Sequence, residues 1–324
     1  MNEGQGKDSS EGNDERTRRL EKLRRTAGTL LMEALAAPQI QEILLNPDGL
    51  VWVDRKESGL CRYGIMNSDE AYSFIASVAA SLGAVIGPSN PIIEGELLLD
   101  GSRFQAVVPP VVDAPMFSIR KRTGGLVGLE DYVKQGCLDL HEANKIRQSI
   151  RRRSNIIVSG GTSSGKTTLM NALIKLMIEE SPEQRLAILE DTVELQVQTE
   201  NHIALKSNET VSIDTLLRST LRLRPDRIIV GEVRGREAHS MLKAWNTGHP
   251  GGICSLHANS ARHALTRLEQ LVAESTPSCM KEIIGDSVDL IIHIDRDELS
   301  GKRTVTEIIS VNGYQRGDYQ IAFV

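Results

Sequence analysis

The stretch Gly160-Gly161-Thr162-Ser163-Ser164-Gly165-Lys166-Thr167, with Thr168 after it, carries the densest chemical signal in the chain. Its pattern is Gly, four residues, Gly-Lys-Thr, the spacing of a phosphate-binding loop. Glycines at 160, 161 and 165 let the backbone curl until successive N–H groups point inward, and a following helix adds its positive end. A lysine at 166 reaches the β- and γ-phosphates of a nucleoside triphosphate, and a Thr167 hydroxyl ligates Mg²⁺. Ile156, Ile157 and Val158 lead in as a strand, and Leu169, Leu173, Ile174, Leu176 and Met177 lead out at helical spacing. A glycine-rich turn that merely carries a lysine would not need those flanks.

Three other segments bear groups that act on a bound phosphate. Glu232 closes the apolar run Ile228-Ile229-Val230-Gly231. A buried strand ending in a carboxylate delivers it to the edge where ligands of parallel sheets bind, and there it can polarise an attacking water. Gly231 stands where an aspartate is usual, so Thr167 is the direct protein ligand expected for Mg²⁺, with Glu232 as an outer partner. Glu190, Asp191 and Glu194 follow the next apolar run and can tune Glu232 or hold the ion through water; Glu190 and Glu194 are the sharper candidates. His249 and His257 bracket the run Gly252–Leu256, and a histidine at a strand end can sense a γ-phosphate through a donated hydrogen bond. Their spacing does not suit zinc. The bland readings are a helix-capping acid for Glu232, a solvated turn for 190–194 and satisfied surface histidines.

These groups need a sheet to hold them. Apolar runs at 185–190, 202–205, 227–230, 252–256, 290–294 and 304–309 alternate with helical stretches at 166–180, 212–223, 235–247 and 260–274. Such alternation predicts an α/β domain with a mostly parallel sheet, preceded by one helical stretch over 129–152 and ended by an antiparallel hairpin with its turn near Asn312-Gly313. Residues 16–123 read as a smaller α+β domain. It holds a helix from Arg16 stopped by Pro38, short strands over 40–66, a helix capped by Asn67-Ser68-Asp69-Glu70, a hairpin over 96–108 turning at Asp100-Gly101, and a strand from Met116. Thr123-Gly124-Gly125 is the expected hinge, 124–150 a linker with a leading helix, and 151–324 the second domain. Residues 1–15 lack apolar anchors and are expected to be disordered.

Composition excludes several classes. Aromatic residues are 3% of the 324, too few for a base-stacking platform. A net charge of −5 gives no global basic footprint for nucleic acid, so no sequence-specific binding of it is expected. Cys61, Cys137, Cys254 and Cys279 form no C-x-x-C pair and read as reduced thiols of a cytosolic protein. No apolar run approaches the length of a membrane span, so any membrane association is peripheral. The first helix carries Arg16, Arg18, Arg19, Lys22, Arg24 and Arg25, which suit either an anionic lipid surface or plain solvent.

Taken in order, the four segments resemble the secretion ATPase superfamily, which powers type II and type IV secretion, conjugation and pili. Its members carry a P-loop, an acidic box, a Walker B ending in Gly-Glu, and a histidine box of Gly-His and Leu-His. The resemblance spans residues 40–310, and the runs from Asp100 through Arg103 to Val111 and Ser118-Ile119-Arg120-Lys121 are similar to the conjugal-transfer, TrbB-like branch. It implies a RecA-like P-loop domain hinged to a smaller N-terminal α+β domain, with ATP and Mg²⁺ bound. It also implies a homo-oligomeric, hexameric ring on the cytoplasmic face of the inner membrane, partnered by secretion-channel proteins. Arg103 and Arg120 fall where the family's phosphate-reaching arginines lie, with Arg122 a lesser candidate. The competing readings are a pilus or type II secretion motor, a nucleic-acid translocase, and a ring that binds nucleotide without hydrolysing it.

Overall fold

The computed structural model describes residues 8–55, 58–121, 127–276, 280–297 and 301–324, with side chains from residue 15 onward. The chain divides into two compact units, Met1–Gly125 and Leu126–Val324. The expected hinge, Thr123-Gly124-Gly125, lies outside the described residues.

The first unit opens with helix α1 (Asp8–Ala36), which begins inside the stretch expected to be disordered. Gly28, at φ 66 and ψ 177, interrupts it with a conformation that only glycine adopts readily. Leu23, Ala27, Leu31 and Ala34 are buried on either side of this break, while all six basic residues named above are exposed. Strands β1 (Ile40–Leu45), β2 (Leu50–Arg55) and β3 (Gly59–Ile65) follow, then α2 (Ser68–Ser81), β4 (Ile92–Glu96), β5 (Arg103–Val107) and β6 (Met116–Arg120). A reciprocal capping box between Asn67 and Glu70 starts α2, as its sequence requires. The strands form one antiparallel sheet in the order β3-β2-β1-β6-β5-β4. Its core closes on Phe74 of α2 packed edge-on to Phe104 and Phe117. The hairpin turns at Asp100-Gly101, but its first arm is Ile92–Glu96; Leu97 to Ser102 form the turn, closed by Asp100 accepting from the Ser102 N–H.

The second unit holds α3 (Leu129–Lys134), α4 (Leu140–Arg151), β7 (Ile156–Gly160), α5 (Lys166–Glu180), β8 (Leu186–Glu190), β9 (His202–Lys206), α6 (Ile213–Thr220), β10 (Arg227–Val230), α7 (Glu237–Asn246), β11 (Ile253–His257), α8 (Ala261–Ala273), α9 (Lys281–Ser287), β12 (Leu290–Arg296), β13 (Arg303–Gln315) and β14 (Asp318–Phe323). The sheet order is β14-β13-β12-β7-β11-β10-β8-β9. From β12 to β9 every pair is parallel, and β13 and β14 add antiparallel strands. Strands buried on both faces read as the continuous apolar runs seen in sequence. One core lies where α3, α4 and α5 cover the sheet, the other beneath α6 to α9.

Three expectations are corrected. The single helix over 129–152 is two helices, because Gly136 takes φ 63 and Asp139 then caps α4 in a box with Glu142. The terminal hairpin turns at Arg316-Gly317, not at Asn312-Gly313. Both turn residues have positive φ, as a two-residue turn demands, and Gly313 instead marks an irregularity in β13. Helix α9 was not expected at all.

Candidate active site

The phosphate-binding loop joins β7 to α5. Ser163 at φ 59 and Gly165 at φ 104 supply the left-handed turns that fold its N–H groups inward. A Cβ on Gly160 would lie 2.2 Å from the Ile294 carbonyl and 2.5 Å from Ser164 Oγ, so strand β12 braces the loop and fixes that glycine. Arg303 of β13 braces it again, donating to the Ser163 carbonyl at 3.2 Å. Ser164 is buried, and its Oγ has no hydrogen-bond partner among the described residues. Thr162, Gly161 and Thr168 are exposed.

Lys166 is buried at the start of α5. Its Nζ donates to the carbonyls of Gly160 at 3.0 Å and Gly161 at 2.8 Å and stands 3.3 Å from His257 Nδ1. Thr167 donates its hydroxyl to Glu194 at 3.0 Å. One turn along α5, Asn171 accepts from the Gln196 N–H at 2.7 Å, so the helix face that bears Thr167 also pins the acidic segment.

Parallel register does the remaining assembly. His257 pairs with Gly160, and Val230 with both Leu189 and Cys254, so Glu190, Gly231-Glu232 and His257 end three strands at one edge. Glu190 is buried, and its Oε1 accepts from the N–H groups of Glu194 at 2.8 Å and Leu195 at 2.9 Å. Its carboxylate thus shapes the acidic loop from inside. A Cβ on Gly231 would lie 2.9 Å from Glu190 Cγ. The space that an aspartate would take is therefore filled by Glu190.

Glu232 is the centre of the edge. Its Oε2 accepts from Arg234 Nη2 at 2.7 Å, and Arg234 Nη1 donates to Asp191 at 2.7 Å. Its Oε1 lies 2.9 Å from His257 Nε2, close but without the alignment of a hydrogen bond. Burial alone would raise the Glu232 carboxyl; the hydrogen bond and charge of Arg234, with the charges of His257 and Lys166, outweigh it and hold the group below the ordinary glutamate value. Burial, and then the charge of Lys166, push the His257 pKa below its ordinary value against the opposing pull of Glu232. Asp191, Arg234, Glu232, His257 and Lys166 form one continuous line of contacts.

Not every expected residue joins it. His249 precedes β11 at the opposite, amino edge of the sheet, next to Pro250 and Gly251, which contact Arg153 and Asn155. A parallel strand separates the two histidines, so the structure does not bring His249 to the loop. Arg103 and Arg120 belong to the first unit, where they are direct cross-strand partners on β5 and β6. Like charges so placed repel; Glu96 opposite Arg103, and Glu42 at 3.5 Å from Arg120, offset this. Arg122 lies outside the described residues. Arg234 is not among the candidates that the sequence singles out. Its signal was its place two residues after Glu232.

A parallel sheet flanked on both faces, with a phosphate loop, a strand-end glutamate and an acidic segment along its carboxyl edge, defines the P-loop ATPase class. The chain belongs to the type II/IV secretion system protein family, which matches residues 96–310. Its relatives place it in the conjugal-transfer, TrbB-like branch. It is 47% identical over 304 residues to the conjugal transfer protein TrbB of Rhizobium radiobacter, covering 94% of this chain and 93% of that one. To the type IV secretion system protein VirB11 of Brucella suis it is 31% identical over 314 residues, covering 84% and 85%. The crystal structure of the ATPase DotB from Legionella pneumophila, 18% identical, shares the fold at a TM-score of 0.64 over 86% of this chain and 79% of that one.

Proposed function

We propose that this chain hydrolyses ATP to drive conjugative transfer through a type IV secretion apparatus. The observation that carries the reading is the meeting of Glu232 with the loop lysine: His257 contacts Glu232 Oε1 on one ring nitrogen and Lys166 on the other. A water-polarising carboxylate and a phosphate-binding ammonium are thereby linked at one strand edge. The 47% identity to a conjugal transfer protein favours conjugation over a pilus or type II secretion motor.

In this reading the loop N–H groups and Lys166 bind the β- and γ-phosphates, and Glu232 orients and polarises the attacking water. His257 holds its Nε2 toward Glu232 and its Nδ1 toward Lys166, and so reports the state of the lysine. The Thr167 hydroxyl and the Glu194 carboxylate form an oxygen pair of the kind Mg²⁺ prefers, with Glu232 as an outer partner. Held by these residues, Mg²⁺ would supply positive charge to offset that of the transferred phosphoryl group. Glu190 acts by shaping the acidic loop. Arg103 and Arg120, cross-strand partners on one sheet face of the first unit, are the arginines inferred to supply guanidinium charge to the phosphates. His249 is left without a role at this site.

The working form is a homo-oligomer, a hexameric ring bound peripherally at the cytoplasmic face of the inner membrane and partnered by channel proteins. Among the described residues no helix is long and apolar enough to cross a membrane. The exposed basic face of α1 is the surface offered to anionic lipid, and liposome flotation with and without residues 1–28 tests it. The primary test is phosphate release from ATP by Glu232→Gln. Turnover is expected to disappear while ATP still binds; parent-rate hydrolysis by that variant would refute the assignment.

A further inference from the structure

The two oxygens of Glu232 stand in different environments. Oε2 is held at 2.7 Å by Arg234, and Oε1 is unaligned, 2.9 Å from His257 on the side of the phosphate loop. A carboxylate at the end of a short loop can swing about its side-chain torsions, and a general base must be held close to its working geometry. Something therefore has to fix one end of it.

Arg234 is built for that task. Val233, between the two residues, is buried, and its N–H donates to the Ser255 carbonyl at 2.9 Å. The backbone N–H groups of Arg234 and Gly235 both donate to Glu237 Oε1, at 2.6 and 2.9 Å. The loop is thus tied to β11 on one side and to the first turn of α7 on the other. The far end of Arg234 is tied as well, because its second amino group donates to Asp191 at the end of β8. A planar guanidinium held at both ends is a rigid strut.

We propose that Arg234 is a positioning residue for hydrolysis: it spans the ends of β8 and β10, clamps one oxygen of Glu232 against Asp191, and leaves the other free to act at the phosphate loop. The proposal rests on the reading of Glu232 given above. A plain surface ion pair would have no kinetic signature, since more than half of the Arg234 side chain is exposed and such pairs contribute little to stability.

The test is steady-state ATP hydrolysis by the full chain carrying Arg234→Gln, Arg234→Lys, Asp191→Asn and the double change Arg234→Gln with Asp191→Asn. Arg234→Gln is expected to lower kcat by about 10- to 100-fold, the range for groups that orient a reacting residue, with KM for ATP and the melting temperature nearly unchanged. Arg234→Lys, which keeps a contact to Glu232 without the strut, falls between the two. Asp191→Asn has a smaller effect that disappears in the Arg234→Gln background, because both act through one contact. An unchanged kcat in Arg234→Gln, a rise in KM matching any fall in kcat, or fully additive effects would each overturn the proposal. Glu232→Gln separates the two readings. If it is inactive while Arg234→Gln is normal, only the strut fails; if it hydrolyses at the parent rate, the reading of Glu232 itself has failed.

Discussion

At the amino edge of the parallel sheet, Asn155 accepts from the N–H groups of Gly251 and Gly252 and donates to the Ser287 carbonyl, all within 3.0 Å. Beside it the fully buried Arg227 donates to Gln184 and to the carbonyls of Gly251 and Ile150. At the carboxyl edge, polar groups are equally close, but the partners are mostly other charged or titratable side chains: Asp191, Arg234, Glu232, His257 and Lys166. The amino edge spends its polar side chains on backbone groups that have one permanent arrangement. Burial still drags the Arg227 pKa down to about 10, so its charge survives at neutral pH and its donors stay committed. The carboxyl edge joins side chains that can exchange one another for a ligand. Ligands of open parallel sheets bind at that end, outside the strand termini. On the reading proposed above, one sheet keeps stability and chemistry at opposite margins.

Substitutions can break this division or sharpen it. Lys166→Ala should have the largest effect on turnover, lowering it by about 10²–10³-fold, as for loss of one preorganised donor, while melting falls by less than in the amino-edge variants, because Gly161 is exposed and water can replace the ammonium at its carbonyl. A large fall in melting temperature would show that the carboxyl edge also carries stability. Arg227→Met should do the reverse. It leaves two buried carbonyls without their donors and should cost about 3 kcal/mol in denaturant unfolding, with kcat of the folded protein intact. Asn155→Ala strands two N–H groups and a carbonyl and should cost about 2 kcal/mol by the same measurement. Loss of activity without loss of stability at either position would erase the contrast. The smallest effect belongs to the exposed Arg151–Glu180 pair. The Arg151 hydrogen bond holds the Glu180 carboxyl below its ordinary value of 4.5. The pair's contribution is therefore present above that value and is lost as pH falls through the lower folded value. Unfolding of Arg151→Ala against the parent chain should differ slightly at pH 7 and converge in acid or high salt.

Much of the carboxyl edge was legible in sequence because it is assembled from strand ends, and strand ends are visible where apolar runs stop. The loop, Glu190, Glu194, Glu232 and His257 are all of that kind. His249 misled because an apolar run bracketed by two histidines says nothing about which end faces the ligand. Gly231 was read as a missing aspartate; that the adjoining strand fills its space is a fact of register, which no local pattern encodes. Arg234 depends on a loop pinned by Glu237 and Ser255, contacts invisible until the chain is folded. At the terminal hairpin, Asn312-Gly313 is the stronger turn signal. The longer arms gain the edge-on pairing of Tyr314 with Tyr319, centroids 5.1 Å apart, and that outweighs it.

Strand β7 is the first strand of its unit in the chain, yet it lies between β11 and β12, two of the later ones. Asn155, just before it, finds Asp289, 134 positions further along the chain. Contacts of such long range are slow to form and favour late assembly. During synthesis the phosphate loop emerges well before either neighbour of its strand, and the pairing of β7 is complete only when the residues of β12 follow those of β11 out of the ribosome. The expected sign is that stalled chains ending before residue 280 fail to retain ATP, and that protease cuts them near 156–160; a nucleotide-binding stalled chain of that length would show that the site forms without its last neighbour.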